Sequence, residues 1–165
     1  MPAERDEETG LSDEPATLVN RICKQRQPAQ ESRLEEAIAI ATQTQWVQRL
    51  DDAWPHGLAD RLSYILDRVF AHQQREQAVV FPMLLKGVDA LSARTVDEMI
   101  EAHEDLLAEW RAVAEMTGGF NPPAHACAQW RRLYAVCNQL QSDFLEQVGL
   151  ENRMLLAGRV TPPPG

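Results

Sequence analysis

The chain has no run of about 18 apolar residues, the length a helix needs to span a bilayer, and no Lys/Arg-rich stretch among its 165 residues. A net charge of −9 without a basic run argues against nucleic-acid binding through phosphate contacts and against docking on an anionic membrane. Three cysteines, Cys23, Cys127 and Cys137, make neither a CxxC pair nor an even framework, so reduced thiols are expected. Cys127 and Cys137 lie ten apart on one predicted helix, on different faces, and are not expected to act together. Met1 to Glu14 is acidic and lacks the apolar stretch of a secretory signal, and a cytoplasmic protein is the expectation. No Gly-rich phosphate loop, no nucleophile elbow and no internal repeat occurs. Runs of β-branched residues with period two are missing as well, which excludes a sheet-based core.

What is present is helical. Ala, Leu, Glu, Gln and Arg dominate, all good helix formers, and hydrophobic residues at 44% suffice for one domain with a sizeable core. Residues 1–15 are expected to be a disordered acidic tail and residues 161–165 a proline-rich stub, with one all-α domain over 16–160 between them. Breakers cut that domain into four long helices near 30–52, 57–86, 93–117 and 123–157. Pro55-His56-Gly57 separates the first two, Gly87 ends the second, Thr117-Gly118-Gly119 ends the third, and Asn121-Pro122-Pro123 opens the fourth with Asn as N-cap. A short extra helix near 16–26 precedes them, and Pro28 is expected to kink or break its junction with the first.

Three helices carry apolar stripes with the alternating steps of three and four that mark a bundle seam. The second reads Leu58, Leu62, Ile65, Val69, His72, Glu76, Val79, Met83; the third Val96, Met99, His103, Leu106, Trp110, Val113; the fourth Trp130, Leu133, Cys137, Leu140, Phe144, Gln147, Glu151, Met154. The first helix offers Gln27, Leu34, Ala37, Ala41, Thr44 and Gln48 in one register. Polar residues within those stripes demand a reason. An unpaired buried carboxylate costs several kcal/mol or takes up a proton, and two facing carboxylates repel. A cation answers both, and imidazole with carboxylate suits iron, manganese or zinc. A metal-free polar core is the alternative, with His72 and His103 protonated against Glu76 and Glu151 and the glutamines bonded around them. His56 and His125 fall in a turn and near a helix start and read as solvated or capping side chains. Trp46, Trp110 and Trp130 read as core or groove fillers, and Glu98, Glu101, Glu104 and Glu109 as a solvated face.

The stretches His72-Gln-Gln-Arg-Glu76-Gln-Ala-Val-Val-Phe81-Pro82-Met83, Met99-Ile-Glu-Ala-His103, Cys127-Ala-Gln-Trp130-Arg-Arg-Leu-Tyr134 and Leu150-Glu151-Asn152, with Pro55-His-Gly57-Leu58, resemble the hemerythrin-like (HHE cation-binding) proteins of the repair of iron centres family. The resemblance covers about 16–157. It implies an up-down-up-down four-helix bundle, two irons held by five histidines and two bridging glutamates, and a role in iron–sulfur centre repair and nitric-oxide or oxidative stress. Carried over by spacing, His72, Glu76, His103 and Glu151 are retained metal ligands, while three histidine places fall on Gln27, Gln48 and Gln147. An amide oxygen is a weak ligand for iron, so the resemblance implies a partly lost centre holding one weak metal or none. Many relatives carry a small N-terminal domain with a cysteine pair where this sequence has its acidic stretch, so thiol-linked chemistry is not carried over. A metal-binding stress protein is thus the leading expectation, with an iron–sulfur protein or an intact relative as partner. A metal-free interaction or regulatory module is the alternative. An enzyme proper is less favoured, because two adjacent redox metals are usually wanted for that chemistry.

Overall fold

The computed structural model describes residues 15–87 and 91–157; the expected N-terminal tail and C-terminal stub lie almost wholly outside them. Four long helical rods pack in a ring, each against its two neighbours, which is the all-α bundle that the seams require. Among the described residues no helix is long and apolar enough to cross a membrane.

The first rod, α1, runs over residues 15–47 as Pro15–Arg21, a π turn Ile22–Arg26, and Gln27–Val47. The expected break at Pro28 does not occur. Its place is taken by the wide turn just before it, where Gln27 N–H reaches back to the Ile22 carbonyl. Proline removes one helical hydrogen bond and crowds the carbonyl four residues earlier. A turn opened by one residue gives the ring room, and the short leading helix and the first helix become one element. The second rod, α2, covers 58–86 and repeats the device: Leu58–Arg75, a π turn Glu76–Val80, then Phe81–Lys86, with Phe81 N–H on the Glu76 carbonyl and Pro82 next.

The extra residue in that second π turn moves the seam. Val79 is 44% exposed and Met83 only partly buried, whereas Val80, Phe81 and Leu84 are buried. Helix α3, Ala93–Met116, starts at Ser92, whose hydroxyl accepts the Thr95 N–H, and Gly87 closes α2 with φ of 133°. Helix α4, Ala128–Ala157, begins five residues later than the Asn-Pro-Pro signal suggested. Asn121 instead donates its side-chain N–H to the Gly118 carbonyl and closes the preceding turn. The first helix likewise ends at Val47 rather than at 52.

Two apolar clusters result. The larger fills the middle and one end of the bundle around Leu34, Leu62, Trp54, Trp110 and Trp130. The smaller, at the other end, joins Val19, Ile22, Val80, Phe81, Met99 and Leu155. A layer of buried polar side chains lies between them in sequence along all four rods, and it contains the candidate site.

Candidate metal centre

Each helix contributes to that layer for a local reason. His72 lies in the last turn of the regular part of α2 and Glu76 opens its π turn, one turn further along the same face. His103 occupies a seam position of α3 between Met99 and Leu106, and Gln147 and Glu151 are stacked four residues apart on α4. Ligand atoms from His72, Glu76, His103 and Glu151 all lie within 4.8 Å of one another. His103 is fully buried, Glu76 and Glu151 nearly so.

The bonding inside the cluster is incomplete. His72 Nε2 touches Glu76 Oε1, and His103 Nε2 lies 2.9 Å from Glu151 Oε2. Yet His72 Nε2, Glu76 Oε1 and His103 Nε2 make no hydrogen bond of proper geometry. They are close but not aligned with one another, the arrangement of donors turned toward a common centre. The two imidazoles meet edge to face with centroids 4.8 Å apart. On its far side His103 Nδ1 donates to Asn152 Oδ1 at 2.6 Å, which fixes the ring with Nε2 facing inward.

Electrostatics follow from burial. Burial first, and the neighbouring His103 second, push the His72 pKa down to about 4, so its imidazole is neutral and able to coordinate at neutral pH. Burial and the Glu151 charge raise Glu76 well above the usual carboxylate range. Burial also works to raise Glu151, but contact with His103 outweighs it and holds this carboxyl low. Without a cation one carboxylate of the pair therefore tends to keep a proton, the expected outcome for two acids in one dry site.

Of the three glutamines placed by spacing, two join the cluster. Gln27 Nε2 faces Glu76 Oε2 at 3.4 Å and Gln147 Nε2 bonds Glu151 Oε1 at 3.1 Å. Gln48 does not. It caps the C-terminal end of α1, half-buried, with Nε2 3.9 Å from Cys127 Sγ. Two further buried glutamines were not among the sequence candidates: Gln73 Nε2 donates to Gln30 Oε1 at 3.1 Å. Gln30 continues the Gln27–Leu34 stripe by a step of three, so the periodicity held the signal. Asn152 follows Glu151 in the sequence, but its bond to His103 depends on how α3 and α4 cross. A cleft of about 260 Å³ opens between α1 and α4 over Gln30 and Gln147. Its rim is tied by the ion pairs Arg26–Glu146 and Arg33–Asp143.

The other candidates fall outside the centre. His56 is exposed in its turn. His125 pairs with Asp51 at 2.7 Å, bridging the two loops at the opposite end. Cys127 is exposed, and Cys137 is buried with its pKa pushed up to about 12. Trp110 and Trp130 are core residues, but Trp46 is 70% exposed with Arg49 over its ring, so its assignment to the core is corrected.

Residues 21–157 match the family described as Hemerythrin HHE cation binding domain. The chain belongs to the hemerythrin HHE cation-binding family. Among its hemerythrin-like relatives is the iron-sulfur cluster repair protein YtfE of Musicola paradisiaca, 35% identical over 123 residues, which are 74% of this chain and 55% of that protein. YtfE of Pectobacterium atrosepticum is 34% identical, over 74% of this chain and 56% of that one. The iron-sulfur cluster repair protein DnrN of Neisseria gonorrhoeae is 29% identical, over 84% of this chain and 87% of DnrN. The chain spans little more than half the length of these two YtfE relatives.

Proposed function

We propose that this hemerythrin-like chain holds a transition-metal cation, iron before manganese or zinc, at His72, Glu76, His103 and Glu151, and that it serves the upkeep of iron centres. One observation carries the reading. Two imidazole nitrogens and two carboxylates, from three buried residues and the partly buried His72, converge within 4.8 Å with three of their ligand atoms lacking a hydrogen-bond partner. Leaving them so costs about 1–3 kcal/mol for each unsatisfied group, and a cation with mixed N and O preference relieves it. When bound, iron supplies a Lewis-acidic and redox-active ion. The residues supply the rest. Asn152 fixes the ring of His103, the π turn presents Glu76, and Phe81, Leu84, Met99 and Leu155 line the site with apolar surface that keeps it dry.

The YtfE and DnrN relatives are iron-sulfur cluster repair proteins, which supports assigning this chain to the same line of work. A partner that gives or receives iron fits it, either an iron–sulfur protein or an intact relative, in the cytoplasm. The second reading, a metal-free interaction module, draws on one observation: the side-chain amides of Gln27 and Gln147 each donate to one oxygen of the carboxylate pair.

Thermal unfolding decides between the two. A free ion at about a hundred times its Kd adds about 2.7 kcal/mol, which for a domain of this size raises Tm by roughly 5–10 °C. That rise is expected with ferrous ion under anaerobic conditions, together with iron in protein purified from iron-supplemented cells. An unmoved Tm with ferrous, manganous and zinc ions alike, and metal-free purified protein, would leave the interaction module as the function.

A further inference from the structure

The two carboxylates of the centre each have two differently served sides. Glu76 turns Oε1 to His72 and Oε2 to the Gln27 amide. Glu151 turns Oε2 to His103 and Oε1 to the Gln147 amide. On the imidazole side His72 Nε2, Glu76 Oε1 and His103 Nε2 lack aligned partners; on the amide side the oxygens have N–H donors. The orientation of Gln27 is set from behind, because its own Oε1 accepts the Gln77 Nε2 at 2.5 Å. Both amides are buried, at 1% and 6% exposure. Each therefore presents N–H hydrogens, not a lone pair, to the oxygen it faces. A cation brought to that side would meet the partial positive charge of the two amides beside the carboxylate oxygens.

Charge balance points the same way. The two glutamates carry at most two negative charges, which one divalent ion neutralises. A second would leave two positive charges beside the neutral side chains of Gln27, Gln30, Gln73 and Gln147 and the Cys23 thiol, whose pKa is raised by burial and by Glu151. Uncompensated buried charge is among the costliest features a fold can carry. We propose that the centre is built for a single cation on the imidazole side, and that the amide N–H groups of Gln27 and Gln147 occupy the outer side of Glu76 and Glu151 where a second cation would bridge them. This rests on the metal-binding reading above.

Anaerobic titration of the apo-chain with ferrous ion, and separately with zinc, counts bound metal by equilibrium dialysis and elemental analysis. One ion per chain is expected with either. Gln27→Glu/Gln147→Glu adds two carboxylates on the outer side and is expected to bind two. Circular dichroism shows whether that variant folds. Independently of it, the side-chain amide NMR signals of Gln27 and Gln147 in the wild-type protein are expected to stay protected from solvent exchange when zinc is loaded. Two ions bound by the wild-type chain, or loss of that protection on loading, overturns the single-cation centre and leaves the metal-binding reading standing. No binding by the wild-type chain removes both. A folded double variant that still binds only one ion overturns the role given to the two amides.

Discussion

Asn152 shows how one side chain decides what another can do. Its Oδ1 takes the Nδ1 hydrogen of His103 across the α3–α4 contact, which aims the opposite nitrogen at Glu76 and Glu151. Asn152→Ala leaves a buried N–H without a partner and frees the ring to turn. The cost is about 1–3 kcal/mol of stability, and cation affinity is expected to fall by roughly 10–100-fold, the usual effect of losing such an outer partner. Chelator competition followed by a melt measures both. Asn152→Asp, which keeps the acceptor, is expected to retain most of the affinity. An alanine variant with wild-type affinity would show that His103 is oriented by packing alone. His72, Glu76, His103 and Glu151 were legible in the sequence because each interrupts an apolar stripe. Asn152 was not, because its role depends on which neighbour the side of α4 meets, and periodicity does not contain that. Gln48 failed as a site candidate for a reason of length. Twenty-one residues separate it from Gln27, about 31 Å along one helix, and a single rod cannot bring both to one point.

At the scale of the element, the two π turns carry the difference between expected and observed registers. Both rods widen over five residues, and in both the second residue after the wide turn is proline, Pro28 and Pro82. Steps of three and four predicted the seam up to Glu76 and then ran out of phase, since one inserted residue moves the stripe from Val79 and Met83 to Val80, Phe81 and Leu84. The same logic yields a test. From Glu76 the buried positions follow at steps of four, one and three; without one residue they would follow at three, one and three, the ordinary α pattern. Deleting exposed Ala78 therefore keeps the stripe intact but returns Pro82 to a normal turn, where its ring meets the Gln77 carbonyl. That conflict is worth about 3 kcal/mol. The deletion combined with Pro82→Ala is accordingly expected to be about 3 kcal/mol more stable in urea unfolding than the deletion alone. Equal stabilities would mean that proline does not hold the turn open.

Over the whole molecule, the four-helix ring was readable from three stripes, but the division of its core was not. The bundle has a large apolar end, with Trp54, Trp110 and Trp130 buried among leucines, and a small one resting on Val19, Ile22, Phe81, Leu84 and Met99. His103, Glu76, Glu151 and their glutamines separate the two. A polar layer without its cation joins them poorly, since misaligned groups give little cohesion and one carboxylate tends to be protonated. The small end also contains both π turns, whose hydrogen bonds are less regular than those of an α-helix. In the apo-chain the segments 15–26 and 76–86 are thus expected to open locally, below the free energy of global unfolding, while amides near Leu62, Trp110 and Leu133 exchange only through global unfolding. Binding a cation to ligands on α2, α3 and α4 ties the small end to the large one. Hydrogen exchange measured with and without bound metal should show two levels of protection in the apo-chain merging toward one in the loaded chain. Equal protection of both ends before loading would mean that the apolar packing of Phe81, Leu84 and Ile22 already couples them, and that the centre is not the joint between two half-cores.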